Sequence, residues 1–197
     1  DNTPIILLHD IAYIDYDNKS IKESRKNLVL YNKLNESVLV VLTFSASKSF
    51  ALYGLRVGAQ IALCKNKENI EEFIRANKYS SRAKWSNVTN FGMNLITKIL
   101  NEDHEKFEKE LNERKKVLTN RANTFIEECE KVNLKTLPFT CGFFITIPCN
   151  NPLKTYENLV KRDVHIIPLD NCIRITIASI SLEECKKIPS IIKEELI

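Results

Sequence analysis

Ser45-Ala46-Ser47-Lys48, followed by Gly54-Leu55-Arg56-Val57-Gly58, gathers residue types that can hold an aldehyde and a phosphate side by side. A lysine amine in a turn of small residues can form a Schiff base with an aldehyde cofactor. The hydroxyl of Ser45 and the guanidinium of Arg56 suit phosphate oxygens. Arg56 comes eight positions after Lys48 and is expected to open a strand-like run. Asp10 and Tyr13 fall just past an apolar run, Pro4-Ile5-Ile6-Leu7-Leu8-His9. Open α/β sheets place ligand-binding side chains at that position. Taken alone, an aspartate ending a strand is more often a turn former.

The elements that must position these residues follow from the hydropathy pattern. Residues 4–9 read as a strand buried on both faces, as in parallel sheets. Residues 19–34 fit a helix, 38–44 a second buried strand, 55–64 a third, and 67–79 a helix. Residues 94–133 form the longest helical stretch, with a break expected near Asn101-Glu102-Asp103. Its second half would span roughly 45 Å at about 1.5 Å per residue, enough to link two domains. A coiled coil is disfavoured because the heptad pattern lapses. Beyond it come a half-exposed strand (140–147), a helix (153–162), two strands (164–167, 172–178) and a terminal helix. Ser181 with Glu184 three residues on is a capping-box start for that last helix. Gly142-Phe143-Phe144 reads mostly as packing, and His9 as a core or supporting residue.

Composition narrows the function classes. The 197 residues carry a net charge of +4, with no dense Lys/Arg block interleaved with aromatics, which argues against nucleic-acid binding. No apolar run approaches the ~18 residues of a spanning helix, so no membrane role is expected. The N-terminal residues lack a signal-peptide pattern. The six cysteines and three histidines form no C-x-x-C pair and no metal-ligand spacing. Buried free thiols in a reducing, cytoplasmic setting are expected, and no metal.

The lysine segment resembles that of the fold-type I pyridoxal-phosphate enzymes, the aspartate aminotransferase superfamily, and the spacing of further motifs strengthens the likeness. A D-x-x-Y (Asp10, Tyr13) precedes the S-x-S-K, with Asp10 38 positions before Lys48. An R-x-x-W-S-N segment, Arg82-Ala83-Lys84-Trp85-Ser86-Asn87, follows where the family carries R-x-x-[YW]-S-N. Arg174, in Cys172-Ile173-Arg174-Ile175-Thr176-Ile177-Ala178, stands 126 positions after the lysine, where the family has its substrate-binding arginine. The chain resembles the C-terminal half of such an enzyme. The implied fold is α/β. Residues 1–115 would be the C-terminal part of the large, mostly parallel sheet domain that binds the cofactor. Residues 116–197 would be a connecting helix and a small α+β domain that closes on substrate.

The resemblance implies pyridoxal 5′-phosphate as cofactor, bound by Asp10, Tyr13, Ser45, Ser47, Lys48 and Arg56. Asp10 would face the ring nitrogen and Tyr13 the 3-oxygen. Lys48 would carry the cofactor and then shuttle the substrate proton. Arg174 would clamp the substrate α-carboxylate. Arg82, taken as a helix-start arginine, would reach a distal substrate carboxylate across a dimer interface, as against being an ordinary solvated charge. Trp85 and Asn87 would lie near the substrate site, with Trp85 otherwise core. The implied activity is transfer of an amino group between an amino acid, aspartate/glutamate or aromatic, and a 2-oxo acid, by a homodimer. A lyase of the same fold is the alternative enzyme, and the sensor domain of a transcription regulator the alternative outside catalysis. Ile11 replaces a glutamate found in many relatives, without consequence for any assigned role. The donors that the family's N-terminal half supplies do not precede Asp1, so these residues alone are expected to be inactive.

Overall fold

A computed structural model describes residues 3–197. The chain divides into two compact units, one reaching to Leu111 and the other Asn112–Ile197.

The first unit holds a three-stranded sheet of β1 (Ile5–Asp10), β2 (Val38–Ser45) and β3 (Gly58–Leu63), in that order. β1 runs parallel to β2, and β3 antiparallel to it. Ile11, Val40 and Leu42 form the buried centre, with Leu28, Tyr31 and Leu34 packed against them. The segment expected to be one helix over 19–34 is broken. It comprises α1 (Ile21–Ser24), a single turn with a Ser20/Glu23 capping box, and a 3-10 helix, Lys26–Lys33. Leu28, Tyr31 and Leu34 recur every third residue, the period of a 3-10 helix, so this form puts all three on one side. β1 also departs from expectation: Ile6 is 72% and Leu8 67% exposed. Its residues read as buried on two faces, yet among the described residues it pairs with β2 alone.

A one-turn α2 (Ala46–Ser49) follows β2, and a 3-10 turn, Tyr53–Leu55, precedes β3. α3 (Lys67–Trp85) starts on Asn66, whose side chain accepts from Glu68 and Asn69 N–H. It runs well past the expected end at Tyr79, so Arg82 belongs to a last helical turn and not to a helix start. α4 (Asn90–Glu102) and α5 (His104–Lys131) are separated at Asp103, as the sequence suggested. Phe107 stacks on Phe50 at 4.5 Å, packing the first turns of α5 beside the segment after α2. α5 then runs through the boundary between the units.

The second unit has β4 (Phe144–Pro148), α6 (Pro152–Val160), β5 (Ile167–Pro168), β6 (Cys172–Thr176) and α7 (Leu182–Glu195). Its sheet order is β4-β6-β5, antiparallel throughout. Ile145, Ile147, Ile173 and Ile175 alternate inward onto Phe125, Cys129, Leu159 and Ile192. The strand expected over 164–167 shrinks to two residues. Val164 N–H still bonds to Leu159 O at 2.9 Å, and Asp163 is left-handed (φ 58), so this stretch closes α6 instead of pairing. The Ser181/Glu184 capping box starts α7 as expected. All six cysteines are free; Cys129, Cys149 and Cys185 are buried, whereas Cys64, Cys141 and Cys172 are only half-buried. No helix among the described residues is long and apolar enough to cross a membrane.

Two outcomes test this packing. A Cβ on Gly92 of α4 would strike the Val57 side chain. Gly92→Ala gains up to about 1 kcal/mol of helix propensity and loses about 1–3 kcal/mol to overpacking. A net loss is therefore expected in urea unfolding of the full-length protein; a net gain would mean that Val57 gives way. Burial first, then Glu128 and Glu130, pushes the Cys129 thiol from 9.0 up to about 12. The unfolded chain thus releases this proton at lower pH than the folded one. Stability from this group is whole below about pH 9.0 and is lost as pH rises toward about 12. Cys129→Ala should show a shallower alkaline loss of stability, and native Cys129 should alkylate more slowly than Cys64 or Cys172.

Candidate active site

Because β1 and β2 are parallel, their C-terminal ends share one edge, and β3 begins there by running back. Asp10 lies opposite Thr43, and Ser45 opposite Gly58. Ile11 N–H bonds to Thr43 O, and Ala46 N–H to Val57 O, each at 3.0 Å. The topology therefore delivers Asp10, the S-x-S-K turn and Arg56 to a single edge. A Cβ on Gly58 would meet Phe44 O at 2.6 Å, so only glycine fits where β3 approaches β2 here.

Ser45 is the N-cap of α2, its hydroxyl accepting from Ser47 N–H at 3.3 Å. That turn presents Lys48, whose Nζ lies 4.8 Å from the ring centre of Tyr53 and 5.5 Å from that of Tyr13. Arg56 does not open a strand. It is left-handed (φ 53, ψ 47), ending the 3-10 turn, and β3 starts two residues later. From there Nη1 donates to Ser47 Oγ at 3.2 Å and to Tyr53 O at 2.7 Å, with Cζ 5.0 Å from the Tyr53 ring centre. Asp10 Oδ1 accepts Ala12 N–H at 2.9 Å, so one oxygen does form the turn that its position suggests. Among the described residues no carboxylate pairs with Lys48 or Arg56, and no cation with Asp10. His9 Nδ1 is 2.6 Å from Tyr31 Oη, a supporting contact.

In the second unit, Arg174 lies mid-β6, between Thr146 and Ile167. Its Cζ sits 4.4 Å over the Phe144 ring, and its buried Nε has no hydrogen-bond partner among the described residues. Arg82, Trp85 and Asn87 stand apart from Lys48 in their contacts. Arg82 Nη1 donates to Ser86 O (3.1 Å) and Ser86 Oγ (3.0 Å), closing the end of its own helix. Asn87 Oδ1 accepts Val88 N–H at 3.0 Å. Trp85 is 66% exposed, so it is no core residue.

The family model for aminotransferase class I and II matches residues 1–192. The chain belongs to that family. Comparison with curated proteins finds no match. Among solved structures, an aminotransferase from Anaerococcus prevotii is 30% identical, with TM-score 0.89 over 98% of this chain and 47% of that one. An aromatic-amino-acid aminotransferase from Burkholderia pseudomallei, covalently bound to pyridoxal phosphate, is 22% identical, with TM-score 0.74 over 98% and 48%. Aspartate aminotransferase from Thermus thermophilus with maleate is 17% identical, with TM-score 0.76 over the same shares. These last two show the shared α/β fold. This aminotransferase-family chain spans about half the length of the structures it matches.

The chemistry of its side chains fits a phosphorylated, ring-containing cofactor. Two cations near one edge lack carboxylate partners, so a bound anion would relieve their repulsion. A lone carboxylate at the same edge suits a protonated ring nitrogen. Two features of the site were not anticipated from sequence. Tyr53 lies against both cations, and only the chain reversal into β3 brings its ring there. Phe144 supports Arg174 from a diagonal position on the neighbouring strand.

Arg56 supplies a direct test. A non-glycine residue in the left-handed region costs of order 1 kcal/mol. Arg56→Gly relieves that strain but loses the bonds to Ser47 and Tyr53, so urea stability of the full-length protein should change by no more than about 1 kcal/mol, while pyridoxal phosphate affinity, read by absorbance titration, falls at least about tenfold.

Proposed function

We propose that the complete protein is a pyridoxal-phosphate-dependent aminotransferase that moves an amino group between an amino acid and a 2-oxo acid. The observation that carries this reading is the Lys48–Tyr53–Arg56 cluster, two cations on one tyrosine ring without a carboxylate partner, within a chain of the aminotransferase family. When bound, pyridoxal phosphate supplies an aldehyde carbon and a ring that withdraws electrons. Arg56, Ser45 and Ser47 bind the phosphate, Arg56 already oriented by Ser47 Oγ and Tyr53 O. Asp10 would keep the ring nitrogen protonated, and Tyr13 would serve the ring oxygen. Lys48 Nζ would hold the cofactor at its aldehyde end and, as a free amine, would take the proton from the substrate α-carbon. Arg174, its guanidinium seated over the Phe144 ring, would take the substrate α-carboxylate as a bidentate fork.

Arg82 is assigned to a distal substrate carboxylate, with Trp85 and Asn87 beside the site, which favours aspartate or glutamate as substrates. Aromatic amino acids are the other class, in keeping with the aromatic-amino-acid aminotransferase among the solved neighbours. The cofactor would belong to residues 1–115 and the closure on substrate to residues 116–197. A cytoplasmic homodimer is the setting assigned. Residues 1–197 by themselves are not expected to turn over.

In the full-length protein, Lys48→Ala should abolish the visible absorbance that borohydride fixes, and lower kcat by about 10²–10⁴-fold. Arg174→Lys should raise KM for both substrates about tenfold with a smaller change in kcat. Wild-type protein without a borohydride-fixed label at Lys48 would refute the reading. Release of ammonia with no pyridoxamine phosphate would transfer it to a lyase.

A further inference from the structure

Asp15 is a charged side chain that none of the roles above uses, and it is almost wholly buried, at 1% exposure. Arg25 Nη2 pairs with its Oδ1 at 2.5 Å, while Arg25 Nη1 donates to Ile21 O at 3.1 Å, which ties the guanidinium to α1. Burying a carboxylate is costly even when it is paired, so such a pair is weak evidence for stability and points toward a positional duty. Its location supplies one. Asp15 sits in the 3-10 turn Ile14–Tyr16, which begins on the carbonyls of Ile11 and Tyr13: Ile14 N–H bonds to Ile11 O at 3.1 Å and Tyr16 N–H to Tyr13 O at 2.9 Å. The same turn carries Tyr13, whose ring faces Lys48 Nζ, and Tyr16, 6% exposed, whose hydroxyl donates to the Lys48 carbonyl at 3.2 Å. That carbonyl also accepts Ala51 N–H at 3.1 Å. α2 is one turn long, and a single turn is marginal without outside support.

We propose that Tyr16, set by the pairing of buried Asp15 with Arg25, is a positioning residue that fixes the backbone of Lys48 and so aims its amine. A lysine side chain can place its nitrogen reproducibly only when its own backbone is held, and precision of this kind depends on the supporting contacts. The Asp15–Arg25 pair fixes the turn from one side, and the tyrosine hydroxyl carries that constraint to α2. The proposal rests on Lys48 being the amine that takes the cofactor.

The test uses full-length protein stripped of cofactor and then mixed with pyridoxal phosphate, following the visible absorbance that borohydride fixes at Lys48. Tyr16→Phe removes one hydroxyl and little else. It should slow capture about fivefold, the worth of one hydrogen bond, and lower kcat by a similar factor with KM within about twofold. Its melting temperature should stay close to wild type. Capture and kcat equal to wild type would overturn the proposal, as would an effect confined to KM or to melting temperature. If Tyr16→Phe does not fold, Arg25→Lys carries the same readouts. It keeps the charge but loses the fork, so slower capture is expected, and parity with wild type overturns the proposal. Wild-type protein that forms no borohydride-fixed label would sink the cofactor reading itself, an outcome distinct from a Tyr16 variant that behaves as wild type.

Discussion

One closed loop governs the candidate site: the chain leaves β2 at Ser45 and re-enters the sheet at Gly58, directly opposite. Ala46 N–H bonds to Val57 O across its neck at 3.0 Å. The residues between them form a short loop at that sheet edge. Lys48, Tyr53 and Arg56 meet there, with the Tyr53 ring still 66% exposed. The strain is visible at Ala51 and Arg56, both left-handed without being glycine (φ 55 and 53). Such conformations persist only where surrounding contacts over-determine them. Here the over-determination comes from the strand register, the Arg56 bonds to Ser47 and Tyr53, and the close seat of Val57 against Gly92.

Electrostatics divides the first unit into two kinds of charge. Asp15 and Arg25 pair by charge, although Asp15 Oδ1 gains no well-directed hydrogen bond from the contact, and their pairing is local to the turn after β1. Lys48, Arg56 and Asp10 are left without partners of opposite sign among the described residues. A tyrosine face offers a cation about 0.5–2 kcal/mol. That is enough to hold a side chain in place, and too little to replace the stronger attraction of a phosphate or carboxylate in a partly desolvated site. The edge thus carries uncompensated positive charge at the loop and negative charge at Asp10. Arg174 in the second unit likewise rests its guanidinium on an aromatic ring, Phe144, with its buried Nε unpartnered.

Much of this was legible in the residues. The apolar runs that became β1 and β2, the break at Asp103 and the Ser181 capping box all depend on neighbours close in sequence, where propensity and periodicity act. The spacing of D-x-x-Y, S-x-S-K, R-x-x-W-S-N and Arg174 carried the family, which the match over residues 1–192 shows. Long-range effects were not legible. A three-residue repeat in Leu28, Tyr31 and Leu34 became a 3-10 helix because the Ile11–Val40–Leu42 centre had to be covered. Arg82 moved from a helix start to a helix end because α3 continued through Trp85.

The sequence by itself determined the α/β class and the chemical vocabulary of the site: an amine, three guanidinium groups, a carboxylate and a phenol at family spacing. Only the tertiary structure decided their grammar. It placed Tyr53 against both cations, turned Arg56 left-handed, and joined Tyr16 to the Lys48 carbonyl across thirty-two residues of sequence. The physical reason is that side-chain type and local periodicity are written residue by residue. Which groups share an edge depends instead on strand register and chain reversal, and those are settled only when distant segments pack.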